Sequence, residues 1–242
     1  MISNNRYFGT TNLAYGQPDQ MNSNVTNTLN IQNIPVKKVH VADIDISYKT
    51  LGKGDPILLI SGSSSDMNAW EPSTLRSLSS NHTVIVFDTR GVGNTTGSKP
   101  YTIQQLANDT AGLLDALKIQ KANVLGHSLG TYIAQQLTIT HPDKVSRLIL
   151  ISASCGGKEG IPKPPEFLKL QSDIINKSQN NISSISKEDI KSLISASLGS
   201  GWIRLHPDSL GNFPEAKDLF SKVSPNTLRG QYNAGIGWEA TN

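Results

Sequence analysis

Five consecutive residues, Gly126-His127-Ser128-Leu129-Gly130, form a Gly-x-Ser-x-Gly motif near the middle of the 242-residue chain. The motif ends an apolar strand-like run and opens directly into a pattern of helical spacing. A strand, a sharp turn and a helix in this order lift a serine hydroxyl out of a sheet, where it can act as a nucleophile. Side chains at Gly126 and Gly130 would obstruct the close backbone approach of such a turn. The alternative is that Ser128 only caps the following helix.

A serine hydroxyl needs a base to take its proton and a carboxylate to orient that base. Downstream of Ser128 the histidines are His141 and His206. A helix rises 1.5 Å per residue, which places His141 about 20 Å from the serine at the far end of the predicted helix. His206, with Asp208 close by, is the remaining candidate base. It is the less favoured interpretation, because a base on a mobile segment lacks the rigid positioning that catalysis demands.

The elements around the motif predict an α/β fold. Short apolar runs rich in Val, Ile and Leu are typical of strands buried on both faces of a parallel sheet; they are DPILLISG, HTVIVFD, ANVLGHS and VSRLILISAS. Helical patterns lie between them, one starting at a capping-box-like Thr102 and Gln105 and one beside Gly130. The segment VKKVHVADIDISYKTLG predicts two antiparallel strands joined by a tight turn. This order predicts a mostly parallel sheet with flanking helices and right-handed crossovers.

Composition divides the chain into three predicted regions. Residues 1–35 are rich in Asn, Gln, Ser and Thr and predict a flexible leader. Residues 36–156 form the α/β core. Residues 157–242 contain no further buried-strand run and predict short helices that form a lid, one of them starting at Ser186 with Asp189.

Charge and composition exclude several classes of partner. The net charge is only +3, and the basic residues are scattered, which indicates neither a nucleic-acid nor an anionic-membrane surface. No apolar run reaches the roughly 20 residues of a membrane span, and no Cys/His cluster has metal-ligand spacing. We therefore expect no metal and no cofactor. Cys155, the single cysteine, has no partner for an internal disulfide and is predicted to be a buried structural thiol.

These motifs resemble the α/β-hydrolase superfamily over Val36 to Asn242, in particular its lidded esterases, cofactor-free haloperoxidase-like enzymes and carbon-carbon bond hydrolases. The resemblance implies that Ser128 is the nucleophile. The stretch LLISGSSSDMNAW is similar to the family's loop after the third strand, which implies an oxyanion hole formed by the N–H groups of Ser63 and Leu129. In VFDTRGVGNT, the resemblance implies that Asp88 and Arg90 organise loops rather than perform chemistry.

The same resemblance implies a catalytic acid after a seventh strand and a histidine after an eighth, in the order serine, acid, histidine. Neither strand is predicted before Asn242, and Glu159 is the only acid that closely follows the sixth strand. We therefore expect a truncated hydrolase whose acid and histidine lie beyond Asn242, with little or no turnover. The run RLILIS, without a neighbouring strand, would be an exposed apolar edge prone to aggregation.

The sequence thus predicts a serine hydrolase that acts on an ester or related acyl substrate. A non-catalytic small-molecule binding module derived from a hydrolase is the alternative, and an intact enzyme that uses His206 is a third. The substrate is undetermined. Aromatic residues in the last third indicate either an apolar substrate pocket or a small core within the lid; they are Trp202, Phe213, Phe220, Tyr232 and Trp238.

Overall fold

A six-stranded mixed sheet forms the centre of the molecule, in the strand order β1-β2-β4-β3-β5-β6. The computed structural model describes residues 31–98, 101–198, 200–206 and 216–240. The strands are β1 (Lys37–Val41), β2 (Ile44–Leu51), β3 (Asp55–Ile60), β4 (His82–Phe87), β5 (Ala122–His127) and β6 (Val145–Ile151). Strands β4, β3, β5 and β6 are parallel, and β1 and β2 are antiparallel. All of these strands were predicted, and the α/β class is confirmed.

Helices α1 (Pro72–Ser79), α2 (Ile103–Ala116) and α3 (Leu129–Thr140) connect the parallel strands. Apolar side chains on both faces of β3, β4 and β5 are buried, as the continuous apolar runs predicted. Alternate residues of these strands contribute to two separate cores, one of which includes α2 and α3 and the other α1. The sheet is therefore covered by helices on both faces.

The last third of the described chain is helical. Its elements are α4 (Pro165–Asn180), α5 (Lys187–Ser197), α6 (Ser200–Leu205), α7 (Ala216–Leu219) and α8 (Pro225–Ile236). A third apolar core joins several of them to the loop after β4 through Val92. The predicted start of α5 is confirmed, because Ser186 and Asp189 form a reciprocal capping box.

Three local features differ from the sequence-based expectations. Ile31, within the predicted leader, is only 4% exposed and packs into the core beside α1; residues 1–30 lie outside the described residues. Cys155 was predicted to be buried but is exposed, because it follows the edge strand β6 in a surface loop. Thr102 caps α2 by accepting from the N–H of Gln105, but the Gln105 amide donates to Asp109 instead of completing the box.

Strand β6 lies at one edge of the sheet and carries apolar side chains that face solvent. Ile149 and Ile151 are 42% and 44% exposed, whereas Leu148 and Leu150, on the opposite face, pack against the core. The predicted exposed apolar edge is thus present among the described residues. In the described part of the chain no helix is both long and apolar enough to span a membrane.

Candidate active site

Ser128 occupies a strained turn between β5 and α3. Its backbone angles are φ 53° and ψ −118°, a region that residues with a side chain rarely adopt. Its N–H donates to the carbonyl oxygen of Ile151 at 3.0 Å, which ties the turn to the end of β6. Ser128 precedes the first residue of α3, but its hydroxyl makes no capping hydrogen bond. The serine is exposed at the carboxyl end of the parallel strands, and this geometry does not favour a role as a helix cap.

Backbone packing at the turn leaves no room for a side chain at either glycine. A Cβ atom on Gly126 would lie 2.4 Å from the carbonyl oxygen of Gly130, and one on Gly130 would lie 2.2 Å from that of Ile60. Both contacts are with backbone atoms, which cannot move aside as a flexible side chain can. The two glycines therefore let β5 and α3 approach each other and let α3 approach the end of β3.

The loop after β3 passes directly beside Ser128. A Cβ atom on Gly62 would lie 3.2 Å from the Ser128 Cβ. In this loop the N–H of Ser65 donates to the carbonyl oxygen of Gly62 at 3.3 Å. Among the described residues, neither the N–H of Ser63 nor that of Leu129 donates to a protein acceptor. The structure thus brings the predicted oxyanion-hole segments together around the serine, and the role of the two N–H groups remains a proposal.

Gln231 of α8 holds the loop after β3 from the other side. Its side chain is buried, and its Oε1 atom accepts hydrogen bonds from the Ser63 hydroxyl at 3.1 Å and from the Ser64 N–H at 2.9 Å. Its Nε2 atom donates to the Thr89 hydroxyl at 3.3 Å, in the loop after β4. This residue was not recognised in the sequence, since no motif marks it and its partners lie more than 140 positions away.

Asp88 and Arg90 make the contacts of residues that organise loops. The Asp88 carboxylate accepts from the N–H groups of Met67 at 2.7 Å and Asn94 at 2.9 Å, and so joins the loops after β3 and β4. Burial raises the pKa of Asp88 above its ordinary value, and these two hydrogen bonds oppose the shift. Arg90 is fully buried and forms paired hydrogen bonds with Asp43 and Asp109. These contacts agree with the interpretation of both residues as structural.

Aromatic residues flank the turn on two sides. The rings of Trp70 and His127 meet edge to face, with centroids 6.4 Å apart. Tyr132 of α3 stacks on Trp238 at 4.8 Å, and the Trp238 Nε1 atom donates to Gln136 at 2.7 Å. Burial raises the pKa of the Tyr132 hydroxyl. Trp238 thus belongs to the core beside α3.

Phe220 is buried and Tyr232 is partly buried, and both belong to the core of the C-terminal helices. This packing favours a small core within the predicted lid over an apolar pocket at these two positions. Phe213, Asp208 and the side chain of Trp202 lie outside what the structure describes.

In the described ranges no hydrogen bond joins a histidine ring to the Ser128 hydroxyl. His141 bonds Asn108 at 3.1 Å at the end of α3, His40 bonds Asp45, and His82 bonds the carbonyl oxygen of Leu78. His206, at the end of α6, is exposed. Glu159 is likewise exposed, in the loop after β6. Among residues 31–98, 101–198, 200–206 and 216–240, no group of three or more His, Cys, Asp or Glu side chains could hold a metal ion.

Comparison with known families agrees with this geometry. Residues 55–226, more than half of the chain, match a family described as alpha/beta hydrolase fold. The chain belongs to the α/β hydrolase fold family. The matched region contains the loop after β3, the turn at Ser128 and most of the C-terminal helices, and it ends before Gln231.

Curated relatives of this α/β hydrolase are similar over part of their length. A protein of Mycobacterium tuberculosis named as a non-heme bromoperoxidase, BpoC, is 36% identical over 110 residues, which are 45% of this chain and 42% of the relative. A protein of Azorhizobium caulinodans named as a carbamate hydrolase, RutD, is 33% identical over 114 residues, 47% of this chain and 43% of the relative. The matches thus span less than half of each relative's length.

Solved structures show the same fold over a longer range. The enol-lactonase from Burkholderia xenovorans LB400 superposes with a TM-score of 0.65 at 22% identity, covering 84% of this chain and 75% of the lactonase. A hydrolase from Pseudomonas aeruginosa PA01 superposes with a TM-score of 0.64 at 20% identity, covering 84% of this chain and 73% of that enzyme. At these identities the likeness establishes the fold alone.

Proposed function

We propose that this α/β hydrolase is a serine hydrolase that attacks an ester or related acyl carbon through the Ser128 hydroxyl. The observation that supports the proposal most strongly is the positive φ of Ser128 on a glycine-flanked turn, with the loop after β3 packed against it. Strain of this kind at a non-glycine residue is characteristic of functional sites. The hydrolase names of the relatives fit this chemistry, because carbamates and lactones both carry a carbonyl carbon open to attack by a hydroxyl.

In the proposed reaction the Ser128 Oγ atom forms a bond to the acyl carbon, while the carbonyl π electrons move onto oxygen. The N–H groups of Ser63 and Leu129 stabilise this oxyanion by hydrogen bonds. Collapse of the tetrahedral intermediate breaks the bond to the leaving group, which departs with a proton and leaves an acyl-serine. Water then attacks the acyl carbon and restores the Ser128 hydroxyl. A base must accept the serine proton in the first step and the water proton in the second.

We expect the 242-residue chain alone to hydrolyse the substrate slowly, because a base for the serine proton is not seen in place among the described residues. No described imidazole is hydrogen-bonded to Ser128, and a positioned general base contributes about 10²–10⁴-fold. Because Ser128 is exposed, a small base from solution can reach it. Added imidazole should therefore accelerate a reaction that is otherwise slow.

The test is steady-state hydrolysis of p-nitrophenyl acetate by the chain with increasing imidazole. We expect the rate with protein and imidazole together to exceed the sum of the two separate rates. The excess should be about ten times the protein-only rate or more. This excess should disappear in Ser128→Ala and persist in His206→Ala. An excess that persists in Ser128→Ala would contradict the proposal. Loss of activity in His206→Ala would identify His206 as the base, and fast turnover without imidazole would contradict the expected low rate.

A non-catalytic binding module is the second candidate, and it is favoured because, among the described residues, no histidine ring is hydrogen-bonded to the Ser128 hydroxyl. In that case an acyl ligand would bind beside the turn without bond cleavage. The same experiment separates the two candidates. A binding module would inhibit or leave unchanged the imidazole-catalysed reaction, whereas the hydrolase would give a Ser128-dependent excess.

A further inference from the structure

We infer that Gln231 is a positioning residue that sets the geometry of the oxyanion hole from the C-terminal helix α8. The inference rests on the proposed role of Ser63 and Ser128. It assigns to the C-terminal helices a function in transition-state stabilisation, beyond that of covering a substrate. Gln231 itself touches neither the acyl group nor the oxyanion in this scheme, and it acts through the backbone of the loop after β3.

Hydrogen bonds hold both the peptide group that carries the Ser63 N–H and the peptide group that follows it. Gln231 Oε1 binds the Ser63 hydroxyl and the N–H of Ser64, while the N–H of Ser65 is used by the carbonyl of Gly62. The Gly62 carbonyl belongs to the same peptide group as the Ser63 N–H, so the bond from Ser65 holds that group directly, and Gln231 holds the next peptide group. Within the described chain the N–H of Ser63 has no acceptor and remains available for an oxyanion.

The Gln231 amide is buried and held in one orientation. Gln231 is 1% exposed and Ser64 is buried, so loss of the amide would leave the Ser64 N–H without its acceptor. The Ser64 N–H can only donate, so the amide oxygen of Gln231 must face it, and this leaves Nε2 to donate to the Thr89 hydroxyl. A backbone loop rich in Ser and Gly would otherwise have several accessible conformations.

Ser64 occupies the third position of the turn that the Ser65 N–H and the Gly62 carbonyl oxygen close, and its φ is 65°. A positive φ at this position is a requirement of some β-turns and is uncommon for serine. The 2.9 Å hydrogen bond from the Ser64 N–H to Gln231 joins this turn to α8. Without that bond we expect Ser64 to relax and to turn the adjacent Ser63 peptide away from Ser128.

Phenylboronic acid is the probe for this inference because it reports on the hole without requiring turnover. The Ser128 oxygen adds to boron and its proton passes to buffer, which gives a tetrahedral boronate with one oxygen at the oxyanion position. We expect binding by the full chain to be lost in Ser128→Ala. Gln231→Met, of similar size but without the amide, should weaken binding about tenfold or more, because a displaced Ser63 N–H would lose part of the roughly 10²–10³-fold that an oxyanion donor contributes.

Two further variants separate positioning from simple packing. Gln231→Glu keeps an acceptor for Ser63 and Ser64, but its carboxylate would repel the boronate anion, so its affinity relative to the parent should recover as the pH falls and the carboxyl is protonated. Gln179→Met is the matched control, because the Gln179 amide donates to the carbonyl oxygen of Pro225 at the start of α8 but does not contact the serine loop. It should leave boronate affinity unchanged. Thermal melting of every variant verifies folding.

The outcomes distinguish this inference from the proposed function. Ser128-dependent binding that is unchanged in Gln231→Met would overturn the positioning role and leave the nucleophile intact. Equal weakening in Gln231→Met and Gln179→Met would likewise overturn it, because disturbance of α8 would then suffice. Absence of Ser128-dependent binding in the parent would overturn both. If Gln231→Met does not fold, Gln231→Asn, whose amide is one methylene shorter, replaces it with the same expectation.

Discussion

At the scale of single residues, the turn at Ser128 requires a residue without a Cβ atom at position 130. A Cβ atom there would lie 2.2 Å from the Ile60 carbonyl oxygen and 2.8 Å from that of Ser61. Gly130→Ala should therefore lower the free energy of unfolding by about 3 kcal/mol. Guanidinium denaturation measures this change.

Gly201 is the matched control for that substitution. It lies in α6, and no atom of the described residues is found within 4 Å of a Cβ atom built on it. Gly201→Ala should leave the free energy of unfolding unchanged or raise it by up to about 1 kcal/mol, because alanine favours the helix. A similar decrease in the free energy of unfolding of both variants would contradict the importance of the close backbone contact at Gly130.

Whether the role of a residue can be predicted from the sequence depends on how far along the chain its contact partners lie. The turn is recognisable in the sequence because it is local and its steric requirements fall on three nearby positions, Gly126, Ser128 and Gly130. Gln231 is not recognisable, since its partners Ser63, Ser64 and Thr89 become neighbours only after the whole sheet and α8 have assembled. A polar residue on a predicted helix carries no signal of such a contact.

At the scale of elements, β6 presents an apolar face to solvent at the edge of the sheet. Ile149 and Ile151 lie on that face, and unpaired backbone groups at an edge strand can pair with another molecule. We predict that Ile149→Lys lowers concentration-dependent association, measured by light scattering, with little loss of thermal stability. A charged side chain on an edge strand opposes pairing between sheets.

Ile161 is the control for the edge effect. Its side chain is 91% exposed, more than that of Ile149, but it lies in the loop before α4 rather than on a strand. Ile161→Lys should therefore reduce association less than Ile149→Lys does. An equal reduction in both variants would attribute association to exposed apolar area in general.

The strands and helices were largely predictable, and so was the exposed edge at β6, whereas the exposure of single residues outside the strands was not. Buried parallel strands have continuous apolar sequences, so β3, β4 and β5 stand out, and β6 has the same composition although one of its faces is exposed. Cys155 was predicted to be buried because free cysteines are among the residue types most often buried, and one residue in a loop gives no periodic signal of its exposure. Ile31 was misjudged because one apolar residue in a polar segment gives no periodic signal.

At the scale of the whole molecule, the parallel sheet brings distant loops together at one end. The turn after β5 and the loops after β3 and β4 meet there, as expected for the carboxyl ends of strands in an open α/β sheet. The chain then returns to this end before α8, where the N–H of Gly93 donates to the carbonyl oxygen of Lys222 at 2.8 Å. The candidate site is therefore formed by loops of the sheet together with the C-terminal helices.

If the Ser128 hydroxyl is the nucleophile, its acyl derivative can be trapped during reaction with an activated ester. The chain is incubated with p-nitrophenyl acetate and imidazole, quenched in acid, digested and mapped by mass spectrometry. We predict one acetyl group on the peptide that contains Ser128, absent from that peptide in Ser128→Ala. Acetylation confined to lysine residues, or equal in the parent and Ser128→Ala, would contradict the claim.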